Sequence, residues 1–125
     1  MQIALLTNKI YCSIMYIQCI YNIMAVSKLK NIVGFEWDDA NTEHIAQHNV
    51  TPSEAEDVFF DTNNVLDEDV EHSIIEERFI IIGKTKKERL LYQIFTKRGN
   101  KIRVISSRDI NKKEVKLYEK KTRRS

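Results

Sequence analysis

The sequence predicts an α+β domain with two N-terminal helices, a three- to four-stranded antiparallel sheet and a C-terminal helix. Helix-capping residues and short apolar stripes lie between residues 38 and 60, whereas β-branched and aromatic runs dominate residues 78–106. A second capped, apolar-striped segment begins at Asn111. Because helices and strands are segregated along the chain, we expect the helices to cover one face of a twisted sheet.

The first helix is predicted from a polar cap that follows a short extended segment, Gly34–Trp37. Asp38 has the side chain of an N-cap, and Asp39 adds a negative charge to the first turn. We expect this helix to run to about His48, because Asn49 tolerates the left-handed conformation of a helix C-cap.

The second helix is predicted from a capping box. Thr51 would cap the helix and Glu54 would return a hydrogen bond to it, while Pro52 occupies the first helical position. We expect this helix to extend to about Phe60. Both helices are short, so their stability depends on packing rather than on intrinsic propensity.

Two strong strand runs, Arg78–Gly83 and Leu90–Thr96, form the centre of the predicted sheet. Lys97–Asn100 is predicted to be a hairpin turn that leads into a returning strand, Ile102–Ser106. Val65–Leu66 would add a weaker first strand.

The final helix is predicted to begin after Asn111 and to end near Lys121. Val115 and Tyr118 are three residues apart, so they share one face of this helix. That face would pack against the sheet.

Residues 10–26 form an uncharged run in which 14 of 17 residues are apolar or Cys. The run is short for a membrane helix, which needs about 20 apolar residues, and it lacks the cleavage pattern of a secretory signal. The third interpretation, which we prefer, is that translation begins downstream at Met15 or Met24. We therefore treat residues 1–30 as an atypical extension and residues 31–125 as one folded domain.

Charge is divided sharply along the chain. Residues 31–77 contain 14 Asp/Glu and no Lys or Arg, whereas residues 78–125 contain 17 Lys/Arg and four Asp/Glu. Such a chain can present a cationic surface to a polyanion, or its halves can neutralise each other across the fold. The two cysteines, Cys12 and Cys19, precede the domain, so we expect a cytoplasmic protein without disulfides.

The sequence lacks a phosphate-binding loop, a dinucleotide-binding fingerprint and a nucleophile elbow. His44 and His48 share a helix face but lack the further ligands of a zinc site, so we expect no metal and no cofactor. The remaining chemistry is that of positioned cations, His, Tyr and carboxylates. RNA cleavage suits these groups, because the 2′-hydroxyl of RNA is its own nucleophile. A general acid or base role is open to one of the three histidines, His44, His48 and His72, and His44 is our preferred candidate.

Several cations lie in or beside the predicted strands, namely Arg78, Lys84, Arg89, Arg103 and Arg108. Arginine within an apolar strand is costly unless an anion or a carboxylate accepts its hydrogen bonds. The arginines therefore form either structural ion pairs, with acids such as Glu76 or Glu114, or a phosphate-binding surface. Strict alternation puts Arg103 and Arg108 on opposite faces unless the chain bends after Ser106.

Two ordered sets of residues resemble those of a known family. The first set comprises Phe35-Glu36-Trp37-Asp38, Asn41, His44-Ile45-Ala46, His48 and Val50-Thr51-Pro52-x-Glu54. The second set comprises Glu77-Arg78-Phe79, Gly83-Lys84, Arg89-Leu90-Leu91, Arg103-x-Ile105-Ser106-x-Arg108, Glu114 and Tyr118. Together they span about residues 33–121 and resemble the BrnT-type toxins, the DUF497 family.

The resemblance implies a RelE-like fold and a ribonuclease toxin of a type II toxin–antitoxin pair. It implies two partners, RNA and a ribbon-helix-helix antitoxin, with DNA bound only through the antitoxin and no membrane association. Catalytic roles are implied for Arg78, Lys84, Arg103, Arg108, Glu114 and Tyr118. We add RNA-binding roles for the neighbouring cations Arg89, Lys97, Arg98, Lys101 and Lys112.

Three positions depart from the family pattern. Asn49 and Glu88 replace glycine, and Ser107 replaces alanine. Glu88 would place a carboxylate near Arg89 and weaken the use of that arginine on phosphate. The alternative function is therefore a catalytically silent binding module that pairs with a DNA-binding antitoxin in autorepression.

Overall fold

The computed structural model of the protein describes residue 29 and residues 31–124. The apolar run at 10–26 lies outside the described residues, as do most of the residues assigned to the extension. Leu29 is buried and belongs to the hydrophobic core. No helix in the described part of the chain is long and apolar enough to cross a membrane.

The described residues form an α+β fold, as predicted. In chain order its elements are β1 (Gly34–Phe35), α1 (Asp39–Ala46), α2 (Pro52–Phe60), β2 (Val65–Glu68), β3 (Arg78–Lys84), β4 (Leu90–Arg98), β5 (Lys101–Asp109) and α3 (Lys112–Arg124). A 3₁₀ turn, Val70–His72, lies in the loop between β2 and β3. Strands β2 to β5 contain the predicted strands and extend beyond them, so the turn is Gly99–Asn100 and not the predicted Lys97–Asn100. Strand β1 is shorter than the predicted extended segment Gly34–Trp37.

Capping explains where the helices begin. The Asp38 side chain accepts the Asn41 N–H at 3.2 Å, which caps α1. Thr51 and Glu54 form the predicted capping box at the start of α2. Asn49 has φ of 57°, the left-handed conformation expected after the first helix.

All five strands form one sheet in the order β1-β5-β4-β3-β2. Strands β2 to β5 pair antiparallel, as predicted. The short segment Gly34–Phe35 pairs parallel with β5, which adds one parallel edge strand to the expected three or four. Phe35 holds this strand in place, because its ring packs edge-on against Phe59 with centroids 5.3 Å apart.

Helices α1 and α2 cover one face of the sheet and enclose the hydrophobic core. Phe79 and Phe95 point to this face and stack with ring centroids 5.4 Å apart. Gly83 lies on the same face of β3 as Phe79. A Cβ atom added at Gly83 would lie 2.8 Å from Cγ1 of Val58 in α2. A larger residue at position 83 would therefore push the helix from the sheet.

Helix α3 lies on the opposite face of the sheet. Lys84 follows Gly83 and so points to that face, where its Nζ lies 5.9 Å from the ring centroid of Tyr118 in α3. The prediction that all helices cover one face is therefore wrong. The reason is that the partners of Glu114 and Tyr118 project from this second face, and these contacts draw α3 to it.

Candidate functional site

Six cations project from the second face of the sheet, which we call the cationic face. Alternation along β3, β4 and β5 assigns to it Arg78, Lys84, Arg98, Lys101, Arg103 and Arg108. The four cations predicted to be catalytic are all among them. Helix α3 covers the end near Lys84 and Arg108 through Tyr118 and Glu114. At the other end, Arg103 contacts the segment before α1 and Arg78 contacts the loop between β2 and β3.

A β-bulge brings the two β5 arginines to one face. The register between β4 and β5 shifts by one residue beside Ile105. Arg103 consequently pairs with Thr96 and Arg108 with Tyr92, and these partners are four residues apart in β4. The bend expected between the arginines exists, but it lies at Ile105 and not after Ser106.

Arg108 is held by Glu114 at the covered end of the cationic face. Its two terminal nitrogens donate hydrogen bonds of 2.8 Å to the two carboxylate oxygens, and its guanidinium lies 4.2 Å from the ring centroid of Tyr92. Burial alone would raise the pKa of Glu114, but hydrogen bonds from Arg108 and from the Asn111 N–H lower it. Glu114 is therefore an ionised partner of Arg108 rather than a free proton acceptor.

The Tyr118 hydroxyl also has a hydrogen-bond partner within the protein. Its hydroxyl donates a hydrogen bond of 2.7 Å to Oδ2 of Asp61, the oxygen that also accepts the Lys84 N–H at 2.8 Å. Burial, together with the Asp61 carboxylate, raises the pKa of Tyr118 well above its ordinary value. The phenol thus remains protonated and acts as a hydrogen-bond donor.

Arg103 pairs with acidic residues at the other end of the cationic face. Its guanidinium donates to both oxygens of Asp38, at 2.9 and 3.1 Å, and to Glu36 at 3.2 Å. The hydrogen bonds from Arg103 are the main reason that the pKa of Asp38 is lowered. The ion-pair interpretation therefore applies to Arg103, although its partners lie upstream of α1 rather than near Glu76.

Arg78 differs from the other arginines of the cationic face. Among the described residues, no carboxylate forms an ion pair with its guanidinium, and its Nε is buried without a hydrogen-bond acceptor. A buried donor without a partner is uncommon and costly in a folded protein. Arg78 is thus the strand arginine best prepared to bind an added anion.

Arg89 connects several segments of the fold. Its guanidinium donates to Asp109 and Glu54 and to the backbone oxygens of His48 and Asn49, at distances of 2.8 to 3.3 Å. These bonds fix the loop between α1 and α2 against the end of β5. The guanidinium N–H groups of Arg89 that would bind a phosphate therefore already donate hydrogen bonds to oxygens of the protein.

The remaining predicted RNA-binding residues occupy different surroundings. Arg98 lies 3.8 Å from both Glu36 and Glu76, which is a loose ion pair at an exposed site. Lys101 and Lys112 are exposed. Lys97 is half-buried and, by alternation, lies on the face that α1 and α2 cover.

The structure does not bring His44 to the cationic face. Its side chain is exposed on α1, and the adjacent Ile45 packs into the core on the opposite side of the sheet. No group of three or more His, Cys, Asp or Glu within the described ranges could hold a metal ion.

The charge division of the sequence is reflected in contacts between its halves. Arg89, Arg98 and Arg103 from the basic half each pair with an acid from residues 36–77. Arg78 and Lys101 have no such partner among the residues described. Both sequence interpretations thus hold in part: some arginines neutralise the acidic half, and others remain available.

Asn49 and Glu88, which replace glycines of the family pattern, both have positive φ, a backbone conformation that favours glycine. Glu88 has φ of 68°, directly after the turn Thr85–Lys87, and its exposed side chain is not a partner of Arg89. A type I turn followed by a left-handed residue is a common hairpin connection. Glu88 therefore affects the backbone rather than the guanidinium beside it.

Sequence reasoning preferred His44 to His72 as the general acid or base, and it assigned no role to Asp69. Nδ1 of His72 is 3.0 Å from both carboxylate oxygens of Asp69. The spacing Asp-x-x-His, one helical turn, was the pattern that could have indicated this pair. Arg78 and His72 line the same cavity.

Comparison with known proteins gave one family. A model described as the ribonuclease toxin BrnT of a type II toxin–antitoxin system matches residues 37–114. The match covers more than half of the chain and includes all six cations of the cationic face. No curated protein matches the sequence.

Proposed function

Because the chain belongs to the BrnT family of ribonuclease toxins from type II toxin–antitoxin systems, we propose that it is a metal-independent endoribonuclease. The 2′-hydroxyl of RNA would attack the adjacent phosphorus, and cations of the protein would stabilise the dianionic phosphorane. The observation that carries this proposal is Arg78 on the cationic face, whose buried Nε has no hydrogen-bond acceptor among the described residues.

The other cations would act at the same face in different ways. Lys101 and Arg98 are exposed beside Arg78 and would hold neighbouring phosphates. Arg103 and Arg108 would contact the substrate only when phosphate oxygens replace the carboxylates of Asp38 and Glu114. Lys84 and Tyr118 would support α3 at the covered end.

A second function is favoured by a specific observation. Arg103 and Arg108 are both occupied by carboxylates in the free protein. A catalytically silent binding module, whose role is to pair with a DNA-binding antitoxin in autorepression, requires no free arginines. This alternative differs from the first only in activity.

The family implies a cognate antitoxin, and we propose that it covers the end of the cationic face near Arg78 and Arg103. The loop between β2 and β3 borders this end and exposes 91% of Ile74 and 99% of Ile75. Adjacent exposed apolar side chains of this size commonly mark protein contacts. A ribbon-helix-helix antitoxin would shield them, and the pair would act in the cytoplasm.

The test is RNA cleavage in EDTA by the full-length protein, with naked RNA and with messenger RNA on ribosomes. We expect Arg78→Ala to lose at least about 100-fold in rate, because stabilisation of developing charge is worth that much. Lys87→Ala, which removes an exposed cation from the turn before β4, should cleave like the parent. Absence of cleavage of both substrates by the parent would contradict the proposal and favour the binding module.

A further inference from the structure

We propose that His72 is the general base of this ribonuclease, that Asp69 positions it, and that Arg78 holds the scissile phosphate beside it. This inference rests on the proposed function and adds to it the group that removes the 2′-hydroxyl proton. Neither the family pattern nor the charge pattern indicated His72.

Backbone hydrogen bonds bring the three side chains together. The Asp69 N–H donates to the Arg78 carbonyl at 2.8 Å, which closes the loop between β2 and β3 at its base. The Arg78 N–H donates to Oγ of Ser73 at 3.1 Å, which fixes the segment just after the 3₁₀ turn. His72 is thereby held next to the first residue of β3.

His72 and Arg78 line one cavity of about 250 Å³. Glu71, Ile74, Ile75 and Glu76 complete its walls. A volume of this size can hold a single phosphodiester group, and His72 and Arg78 line it from different elements. The cavity therefore has a proton acceptor and an anion-binding donor in one place.

The Asp69 carboxylate selects the tautomer of His72. Only 9% of the Asp69 side chain is exposed, whereas 61% of the His72 side chain is exposed. An ionised carboxylate can only accept hydrogen bonds, so Nδ1 of His72 must carry the proton that points to Asp69. Nε2 of the neutral ring then presents its lone pair to the solvent side, as a general base requires.

The proposed step is a transesterification in which atoms and charge balance. Nε2 of His72 takes the proton of the 2′-hydroxyl as the 2′-oxygen forms a bond to phosphorus. The bond between phosphorus and the 5′-oxygen then breaks, and the leaving oxygen takes a proton from water. The imidazolium returns its proton to solvent, and the products are a 2′,3′-cyclic phosphate and a 5′-hydroxyl.

Charged groups surround His72 from each neighbouring segment. Asp69 and Glu71 face it from its own turn, Glu76 from the following loop, and Arg78 from β3. The carboxylates oppose the approach of RNA. Arg98, which lies 3.8 Å from Glu76, offsets part of this negative charge at the rim.

The direct test compares His72→Gln with His48→Gln in the cleavage assay in EDTA, on naked RNA and on ribosome-bound messenger RNA. His48 is an exposed histidine whose side chain lies outside the proposed site. We expect His72→Gln to lose about 10²- to 10⁴-fold in rate, the usual contribution of a general base. RNA binding should stay unchanged, and added imidazole should partly restore His72→Ala.

Asp69→Asn tests the positioning role. We expect a lower kcat with little change in KM, because Asn no longer offers a carboxylate to hold the Nδ1–H of His72, and we expect Asp69→Glu to retain part of the rate. A loss that falls on KM, or equal losses in Asp69→Asn and Asp69→Glu, would show that Asp69 acts on the fold alone.

The outcomes separate the two proposals. Cleavage by His72→Gln at the parent rate would overturn the role of His72 and leave the ribonuclease intact. Failure of the parent to cleave either substrate would overturn both.

Discussion

Glu114 accepts two hydrogen bonds of 2.8 Å from Arg108 and thereby fixes α3 to the end of β5. The same carboxylate accepts the Asn111 N–H at 3.0 Å, while Oδ1 of Asn111 accepts the Glu114 N–H at 2.9 Å. Glu114 thus completes a capping box and an ion pair at once. A residue that the family resemblance associates with catalysis has a clear structural role in the free protein.

Glu114→Gln should lower the free energy of unfolding by about 1–2 kcal/mol at neutral pH, since it removes a charged hydrogen-bond pair and weakens the cap. The lowered pKa of Glu114 means that its contribution is complete above the ordinary carboxyl pKa and is lost as the pH falls through the lowered pKa. Urea unfolding near pH 7 and near pH 2 should therefore show a difference only at the higher pH. Glu43→Gln, at an exposed position of α1, should change little at either pH, and an equal loss from it would contradict this account.

Asp38→Asn should tighten RNA binding, because it releases Arg103 from its bidentate partner while Asn still caps α1. An exposed ion pair contributes little to stability, so the gain in affinity should be at most roughly fivefold. Fluorescence anisotropy with a short labelled RNA measures it. The matched control is Asp39→Asn, which removes the same charge one residue away. Equal gains from both variants would mean that net charge, and not the release of Arg103, is responsible.

Glu88→Gly should stabilise the protein by about 1 kcal/mol, because an L-residue at φ of 68° is strained and glycine is not. Lys87→Gly, in the same turn but without a positive φ, should be destabilising. Thermal and urea unfolding of the two variants provide the comparison. A loss of stability in both would show that the turn does not strain Glu88.

Ser107→Ala should cost about 1–3 kcal/mol in unfolding free energy, since it leaves a buried acceptor unpaired. The Ser107 hydroxyl donates to Oε1 of Gln93 at 2.8 Å, and Gln93 in turn donates to the Ala55 carbonyl at 3.0 Å. This pair explains the replacement of the usual alanine. The double variant Gln93→Met with Ser107→Ala should cost less than the sum of the single variants, because both polar groups are then absent. Strict additivity would argue against the hydrogen bond.

Local sequence patterns predicted most of the helices and strands, because the interactions that begin and end these elements join residues a few positions apart. The capping box at Thr51 and the left-handed Asn49 are set by backbone groups three or four positions away. The β4–β5 hairpin likewise follows from its turn, in which Gly99 has φ of 61°.

The features that sequence reasoning missed depend on distant contacts. The parallel pairing of Phe35 with Ile102 joins residues that no local pattern relates. The bulge at Ile105 depends on how β5 meets β4, and its one-residue shift reverses the face of every later side chain. The ion partners of Arg103 come from before α1, so the surroundings of the candidate site could not be derived from strand patterns alone.

The most direct test of the central claim is to map the ends of the RNA that the full-length protein produces in EDTA. A protein that uses the 2′-hydroxyl as nucleophile must leave 2′,3′-cyclic phosphate and 5′-hydroxyl ends on naked or ribosome-bound RNA. We predict these ends, and we predict their loss in Arg78→Ala. Products with 3′-hydroxyl and 5′-phosphate ends, or no products from either substrate, would contradict the account.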